Sequence, residues 1–445
     1  MKKKNNTGKH KSVWSHSSPL PGFPCLDTDI RTEVLVIGGG IAGILCAFLL
    51  EKAGIDYVLA EAETICSGVT QNTTAKITSQ HGLIYHKLIK QFGAEKAAMY
   101  LHANQEAVKK YEEFCKEIDC DYEEQNSFVY SRTNPQVIHE ELSALQQLNF
   151  SAYTPVESGI SLPLPFPVAG AVRFEKQAQF NPLAFLSAIS KDLNIYEHTM
   201  VQELVGCKAK TPQGNITADQ IIVATHFPFL NKHGSYFLKM YQHRSYVIAL
   251  EHAQDVKGMY VDEAKTGLSF RNYHNLLLLG GGSHRTGKPG GNWDELRQFA
   301  AQHYPDARER FCWSTQDCMT LDDVPYIGHY SKNTPNLYVA AGFNKWGMTS
   351  SMVSAMLLTD MVTGKENPDA AVFSPSRSIL RPQLAINALE STKNLLTISS
   401  PRCPHMGCAL KWNEAERSWD CPCHGSRFEE DGELIDNPAT GGLNL

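Results

Sequence analysis

Cys403-Pro-His405-Met-Gly-Cys408 and, after a gap the length of a short hairpin, Cys421-Pro-Cys423-His424-Gly-Ser gather cysteines and histidines into two short stretches near the carboxyl end. Cys403 and His405 stand two positions apart and Cys421 and His424 three, so each stretch offers one thiolate and one imidazole from a tight loop. Two thiolates on one iron and two neutral imidazoles on the other hold a [2Fe-2S] centre, and the imidazoles raise its potential above that of an all-thiolate cluster. The pattern predicts Cys403, His405, Cys421 and His424 as metal ligands and one-electron chemistry as their use. A structural zinc site is the other metal reading, but zinc sites usually pair C-x2-4-C with a distant second pair, and this spacing does not reproduce that. Cys408 and Cys423 are left over.

The stretch resembles the Rieske proteins of respiratory complexes, and Pro404, Gly407, Pro422, Gly425 and Ser426 match their pattern as they stand. The resemblance implies a disulfide between Cys408 and Cys423 that ties the two ligand loops together. Such a bond would brace a site whose imidazoles are solvent-exposed.

A second set of chemistry-bearing residues lies near the amino end. Residues 34–38 (Val-Leu-Val-Ile-Gly) form an apolar run of strand type, Gly38-x-Gly40-x-x-Gly43 follows at once, and Ile41 to Lys52 reads as a helix closed by Gly54. Strand, glycines and helix in that order are the context in which this fingerprint has meaning. Gly38 permits the tight turn, Gly40 lets the backbone approach a pyrophosphate, and Gly43 lets the helix pack on the strand. The phosphate then sits on the helix N-terminus. A second strand, Tyr57 to Ala60, ends in Glu61, an acid placed to accept a bond from a ribose hydroxyl.

FAD and NAD share this fingerprint. After Glu61 the chain runs Cys66-Ser-Gly-Val-Thr-Gln-Asn-Thr73-Thr74-Ala-Lys76-Ile-Thr-Ser-Gln-His81-Gly, which resembles the flavin-contacting segment of FAD-dependent oxidoreductases of the D-amino-acid-oxidase and glycine-oxidase type. Leu321-Asp-Asp-Val-Pro-Tyr-Ile-Gly328 and Asn336-Leu-Tyr-Val-Ala-Ala-Gly342-Phe-Asn-Lys-Trp346-Gly347-Met348-Thr349 are similar to that family's second flavin segment, a strand, a glycine turn and a helix over 351–361. The resemblance implies FAD as cofactor, held by Thr73, Thr74, Lys76, Gly342, Trp346, Gly347, Met348 and Thr349, with Val201 meeting adenine through its backbone. The whole resembles bacterial FAD-dependent oxidoreductases fused to a C-terminal Rieske domain.

At 445 residues the chain can bury a large core and supports two or three domains. A formal charge of -6 points to neither nucleic acid nor an anionic membrane as partner. Lys2, Lys3, Lys4, Lys9 and Lys11 precede no apolar run, so the amino end reads as a solvated, disordered tail and not as a signal or anchor. No stretch approaches the roughly 18 apolar residues of a spanning helix, and a cytoplasmic protein is expected. Eight of the 12 cysteines (Cys25, Cys46, Cys66, Cys115, Cys120, Cys207, Cys312 and Cys318) lack framework spacing and read as buried small apolar residues.

The expected fold is α/β: a Rossmann-like FAD-binding domain with an inserted α+β substrate domain, then a small all-β Rieske domain. The tail covers 1–31 and the oxidoreductase 32–370, with FAD-binding parts about 32–84, 170–230 and 313–370 and a substrate domain about 85–169 and 231–312. Helical spacing over 85–118 places Val108, Tyr111, Cys115 and Ile118 on one stripe. A Pro-, Ser- and Arg-rich linker takes 371–394, and the Rieske domain 395–445 begins with a strand at 395–399. Few strands precede the first ligand loop, so a stable cluster requires the flavin domain to provide the missing floor.

A flavin accepts two electrons as a hydride and an iron-sulfur centre takes one at a time. The expected activity is oxidation of a small amine or amino-acid-like substrate, with FAD electrons leaving singly through the cluster to an external acceptor or donor protein. That makes the chain a dehydrogenase more than an oxidase. The alternative is an electron-transfer or redox-sensing protein that turns over no metabolite; a plain flavoenzyme with a zinc-stapled tail is the third reading. Glycine-oxidase-like enzymes hold a substrate carboxylate with Arg just before the second flavin segment, where this chain has Asp317, which favours an amine or other cationic group. Arg244, Arg271 and Arg285 lie on substrate-domain strands and are the candidate replacements, Arg244 foremost. His81 is the candidate acid or base beside the ring. Cys318, where some relatives link flavin covalently, reads as a buried thiol.

Overall fold

The computed structural model describes residues 10–16, 19–156, 159–230, 233–398 and 401–443. Ile30–Ile37 buries nearly all of its second half and pairs in parallel with Tyr57–Ala60 on one side and Asn215–Val223 on the other. Parallel strands covered on both faces read as continuous apolar runs, as Val-Leu-Val-Ile does. The first sheet runs Tyr326–His329, Leu337–Ala341, Asn215–Val223, Ile30–Ile37, Tyr57–Ala60, Ile195–Tyr196, with a short hairpin of Glu203–Val205 and Lys208–Lys210 attached. Helix Ile41–Lys52 is apolar on most of its surface because it lies between this sheet and helix Gly347–Val362.

The second sheet is mostly antiparallel and gathers distant segments in the order Arg308–Thr320, Met240–Glu251, Leu276–Arg285, Ser269–Tyr273, Met259–Asp262, Glu123–Ser131, Gly170–Gln179, Lys76–Ile77. Two boundaries therefore move. Residues 170–179, expected on the FAD side, pair with Glu123–Ser131, and 313–320 pair with Met240–Glu251. Leu276–Leu279 is a buried stretch of strand in this sheet. The helical stretch at 85–118 breaks at Gly93 into Tyr85–Phe92 and Ala94–Cys115; Val108, Tyr111 and Cys115 are buried, and Ile118 lies beyond the helix, half-buried.

The third sheet is a four-stranded meander, Lys411–Asn413, Ser418–Asp420, Arg427–Phe428, Leu434–Asp436. Its buried apolar cluster is only Cys403, Cys408, Leu410, Cys421, Cys423, Phe428 and Ala439. So small a core supplies little stability alone.

Four expectations fail on tertiary grounds. The amino end is not free over its described part: Trp14 is fully buried, donates to Thr73 O at 2.7 Å and meets Tyr273 edge-on, while Lys2, Lys3, Lys4 and Lys9 lie outside the described residues. The linker is largely a helix, Pro382–Leu396, with Pro at its first turn where a missing N–H costs nothing. That helix takes up Leu395 and Leu396, so the strand expected at 395–399 does not form; Ser399 lies outside the described residues. Cys25 and Cys207 are exposed, one in the extended amino segment and one in the hairpin turn after Val205.

Candidate functional site

The glycine turn and the first turn of helix Ile41–Lys52 open onto a cavity of about 1200 Å³, larger than the roughly 300–1,000 Å³ of an ordinary ligand site. Gly38 and Gly40 line it, while Gly43 sits behind, where a Cβ would meet Gly38 O at 1.8 Å. Only glycine lets helix and strand approach so closely. Glu61 borders the cavity, and its carboxylate accepts from Gly39 N at 2.5 Å and Glu63 N at 2.9 Å. Burial raises this carboxyl and the backbone donors pull it back. Val201 lies on the same wall. Two helix N-termini face the space, at Gly40–Ala42 and at Trp346–Met348, and such ends favour anionic groups. These residues fit FAD.

The two flavin segments meet although they are far apart in sequence. Thr73, Thr74, Lys76, His81, Trp346, Gly347 and Met348 all line the cavity, whereas Gly342 and Thr349 are not among its lining residues. His81 stacks on Trp346 at 5.0 Å between centroids. Its Nε2 lies 2.8 Å from Thr78 O, which only accepts, so Nε2 carries the proton and Nδ1 accepts from the Tyr100 hydroxyl at 2.6 Å. Thr349 Oγ1, also 2.8 Å from Nε2, donates to Thr78 O. Burial holds His81 neutral, lowering its pKa to about 3. Burial likewise lowers Lys76 to about 7, helped by the Arg271 charge. Cys318 is a buried cavity-lining thiol whose burial pushes its pKa well up.

At the second-sheet end of the cavity stand Asp317 and Lys345. Burial raises Asp317, and the charges of Lys345, His226 and Arg244 work against that. Lys345 donates to Ser283 Oγ; enclosure lowers its pKa and Asp317 partly restores it. Lys345 was not singled out by sequence, although it lies inside the second flavin segment. The signal is conformational: Asn344 and Lys345 are both left-handed, with φ of 51° and 74°, a backbone state that non-glycine residues hold at a cost and that clusters at functional sites.

The two cysteine- and histidine-bearing loops come together at the Cys408–Cys423 disulfide. The Cys403 and Cys421 thiols hydrogen-bond each other, and the His405 and His424 rings lie 4.9 Å apart at 89°. Cys408 and Cys423 form the disulfide, and their sulfurs and that of Cys421 lie within 4.8 Å of one another. His424 is 2% exposed, and among the described residues neither ring nitrogen meets a partner in good hydrogen-bond geometry. A buried imidazole so placed demands a ligand. Burial lowers His405 to about 4 and His424 to about 3, so both are neutral at pH 7, as iron ligation requires. The donor set fits a [2Fe-2S] cluster. The exposed pair of imidazoles is corrected to one: Phe227 and Phe237 flank His424, and His405 is half-buried.

The missing floor comes from the second sheet. Gln242 donates to His424 O at 2.9 Å, Gln316 to Gly425 O at 2.9 Å, and Arg285 to Pro422 O, Cys423 O and Asn387 Oδ1. Gly425 has φ of +87°, and a Cβ there would meet the Gln242 side chain at 2.7 Å. Arg244 is not among the cavity-lining residues. It is buried and pairs with Glu416, which also accepts from Arg427 at 2.9 Å, Ser314 at 2.7 Å and Tyr246 at 3.0 Å. The expected substrate anchor is thus a lock between flavin and cluster units. Burial would raise the Glu416 carboxyl, but Arg244 and Arg427 outweigh it and hold it well below the usual range. Arg271, also buried, gives Nη1 to Thr74 O and Ala75 O and stiffens the first flavin segment. In return, residues 431–437 and 439–443 line the flavin cavity, and Asn437 donates to Thr225 O and Phe227 O.

Residues 33–361 match the family model described as FAD dependent oxidoreductase, and residues 375–444 that of the Rieske [2Fe-2S] domain, which begins upstream of the expected 395. The "Putative Rieske 2Fe-2S iron-sulfur protein YhfW" of Bacillus subtilis (strain 168) is 36% identical over 96% of this chain and 96% of its own. Glycine oxidase from Geobacillus kaustophilus superposes with a TM-score of 0.65 at 21% identity, over 78% of this chain and 99% of that one. L-proline dehydrogenase from P. horikoshii gives 0.65 at 16%, over 80% and 98%. These two likenesses are of fold.

Proposed function

We propose, from the premise that this chain belongs to the FAD-dependent oxidoreductase family and carries a C-terminal Rieske [2Fe-2S] domain, that it is a dehydrogenase for a small amine or amino-acid-like substrate. In this reading electrons leave FAD singly through the cluster to an external carrier protein. One observation carries the proposal: a single cavity is lined by both flavin segments, by residues 431–443 of the cluster unit apart from Pro438, and by the pair Asp317 and Lys345.

Bound there, FAD supplies a hydride acceptor and the cluster a one-electron relay. The chain's own residues do the rest. Asp317 offers an anion to an ammonium group and Lys345 a cation to a carboxylate, a pair complementary to a zwitterion. No arginine lines the cavity among the described residues, so a carboxylate would meet a point charge and not a planar fork. His81, neutral with both nitrogens engaged, acts as a wall that positions Trp346 and Thr349. The segment pinned by Asn437 forms one wall on the flavin side. The relay out of the cavity favours a dehydrogenase over an oxygen-consuming oxidase, and the general structural likeness to an oxidase and a dehydrogenase allows either.

Anaerobic titration of the holoprotein with a panel of amines and amino acids tests this. A substrate is expected to bleach the flavin and then bring up the cluster's EPR signal. A panel that bleaches nothing, or a flavin that is reduced without any cluster signal, defeats the proposal.

A further inference from the structure

Helix Pro382–Leu396 is inside out. Its buried residues are Asn387 and Asn394, whereas Ile386, Leu389, Leu395 and Leu396 face outward. Asn387 is turned in because its side-chain oxygen accepts from Arg285, which also holds the second ligand loop, and Asn394 bonds Glu390 O within the helix. Leu389 is 71% exposed, Leu396 76% and the following Ile398 98%. Of the 11 exposed large hydrophobics among the described residues, seven fall between 380 and 406, so the exposure is a patch and not a scatter.

The patch is continuous with the cluster's outer edge. Arg402 donates to Leu395 O and Thr397 O at the helix end and to Gly407 O in the first ligand loop, and Ala409 N donates to Asn394 O. Met406, next to His405, is the exposed tip of that loop. Because His424 is sealed under Phe227 and Phe237, the His405 side is the cluster's way out. The rim is basic on a chain whose net charge is -6: Lys393, Arg402 and Lys411 are exposed there, and Glu390 is neutralised by Lys288. The seven exposed side chains are all aliphatic or Met, without the Trp and Tyr that mark a lipid interface.

We propose that the outward face of this helix, with the Met406 loop tip, is the docking surface for a one-electron carrier protein whose own face is apolar and ringed by carboxylates. The proposal rests on the reading that electrons leave through the cluster, and it names where the carrier sits. Such contacts are small and transient, with opposite charges speeding the encounter.

The test uses full-length holoprotein with its cluster oxidised, mixed in stopped flow with a reduced plant-type ferredoxin as the acidic probe. One electron passes from ferredoxin to cluster, downhill for a Rieske centre, and is read by cluster absorbance and by EPR after freeze-quench. Leu389→Asp with Leu396→Asp, and separately Lys393→Glu with Lys411→Glu, are expected to cut the second-order rate about tenfold or more, with dithionite reduction and both cofactor spectra unchanged. Added salt should slow the unsubstituted protein and spare the lysine variant. Rates that match across all three proteins, or no measurable transfer in the unsubstituted one, overturn the proposal. So does co-sedimentation with phosphatidylglycerol vesicles that the leucine variant abolishes while the ferredoxin rate stays, which would make the occupant a membrane. A dimer that dissociates on Leu389→Asp overturns it in favour of a second copy. Since ferredoxin feeds the cluster directly, failure of substrate oxidation leaves this readout intact, and failure here leaves flavin bleaching by substrate intact.

Discussion

The flavin-binding part builds its site between two eight-stranded sheets with a large continuous core, whereas the cluster part has four short strands and a handful of buried apolar side chains. The first supplies most of its own walls; the second borrows its floor from Gln242, Arg244, Arg285 and Gln316. A metal centre can be carried on a fragment too small to be stable alone if a neighbour satisfies its backbone and charges. The loan is mutual, because the cluster unit returns a strip of chain that closes the flavin cavity.

The ligands offer the largest break in this comparison. His424→Cys is expected to abolish the Rieske EPR signature while FAD stays bound, and an unchanged g-tensor would refute the ligand assignment. Next in size is the lock. Glu416→Ala strands Arg244 as a buried charge without a carboxylate, while Arg427 keeps Asp420 and Asp436, at a cost of about 3–5 kcal/mol. Urea should then remove the cluster signal at a lower concentration than it releases FAD. Coincident loss of both at the unsubstituted midpoint would show that the borrowed floor contributes nothing.

Asp317→Asn acts in the cavity alone. It should lower kcat/KM for amines roughly 10- to 100-fold, from a lost charge-assisted bond of about 1.5–3 kcal/mol, while the cluster's EPR spectrum stays fixed. Smallest is the pH dependence of His81. Its folded pKa of about 3 lies below the usual value near 6.5, so between those values the unfolded chain binds one more proton and stability falls as pH is lowered. Its full contribution is present above about pH 6.5 and amounts to roughly 2 kcal/mol between pH 7 and pH 5. Urea titrations at the two pH values should show that loss in the unsubstituted apoprotein and not in His81→Asn; equal losses in both would place the sensitivity elsewhere.

Much of the site was legible because its signals are local. Cys403, His405, Cys421 and His424 declare a ligand set by type and spacing, and Gly38, Gly40 and Gly43 declare a phosphate turn by their place between strand and helix. The helix over 351–361 follows from short-range pattern too. The inside-out helix escaped notice because its apolar positions read as a linker, and Trp14 because a tail has no partner until Thr73 and Tyr273 are folded against it.

Sequence alone determined the kinds of chemistry here, since cofactor grip depends on residue types a few positions apart. Only tertiary structure decided which arginine met which carboxylate, which imidazole was buried, and that one cavity has walls from both units. Arg244 and Glu416 are 172 positions apart, and no local preference encodes a charge partner at that range. The choice between substrate anchor and interdomain lock is made by what the folded chain brings alongside.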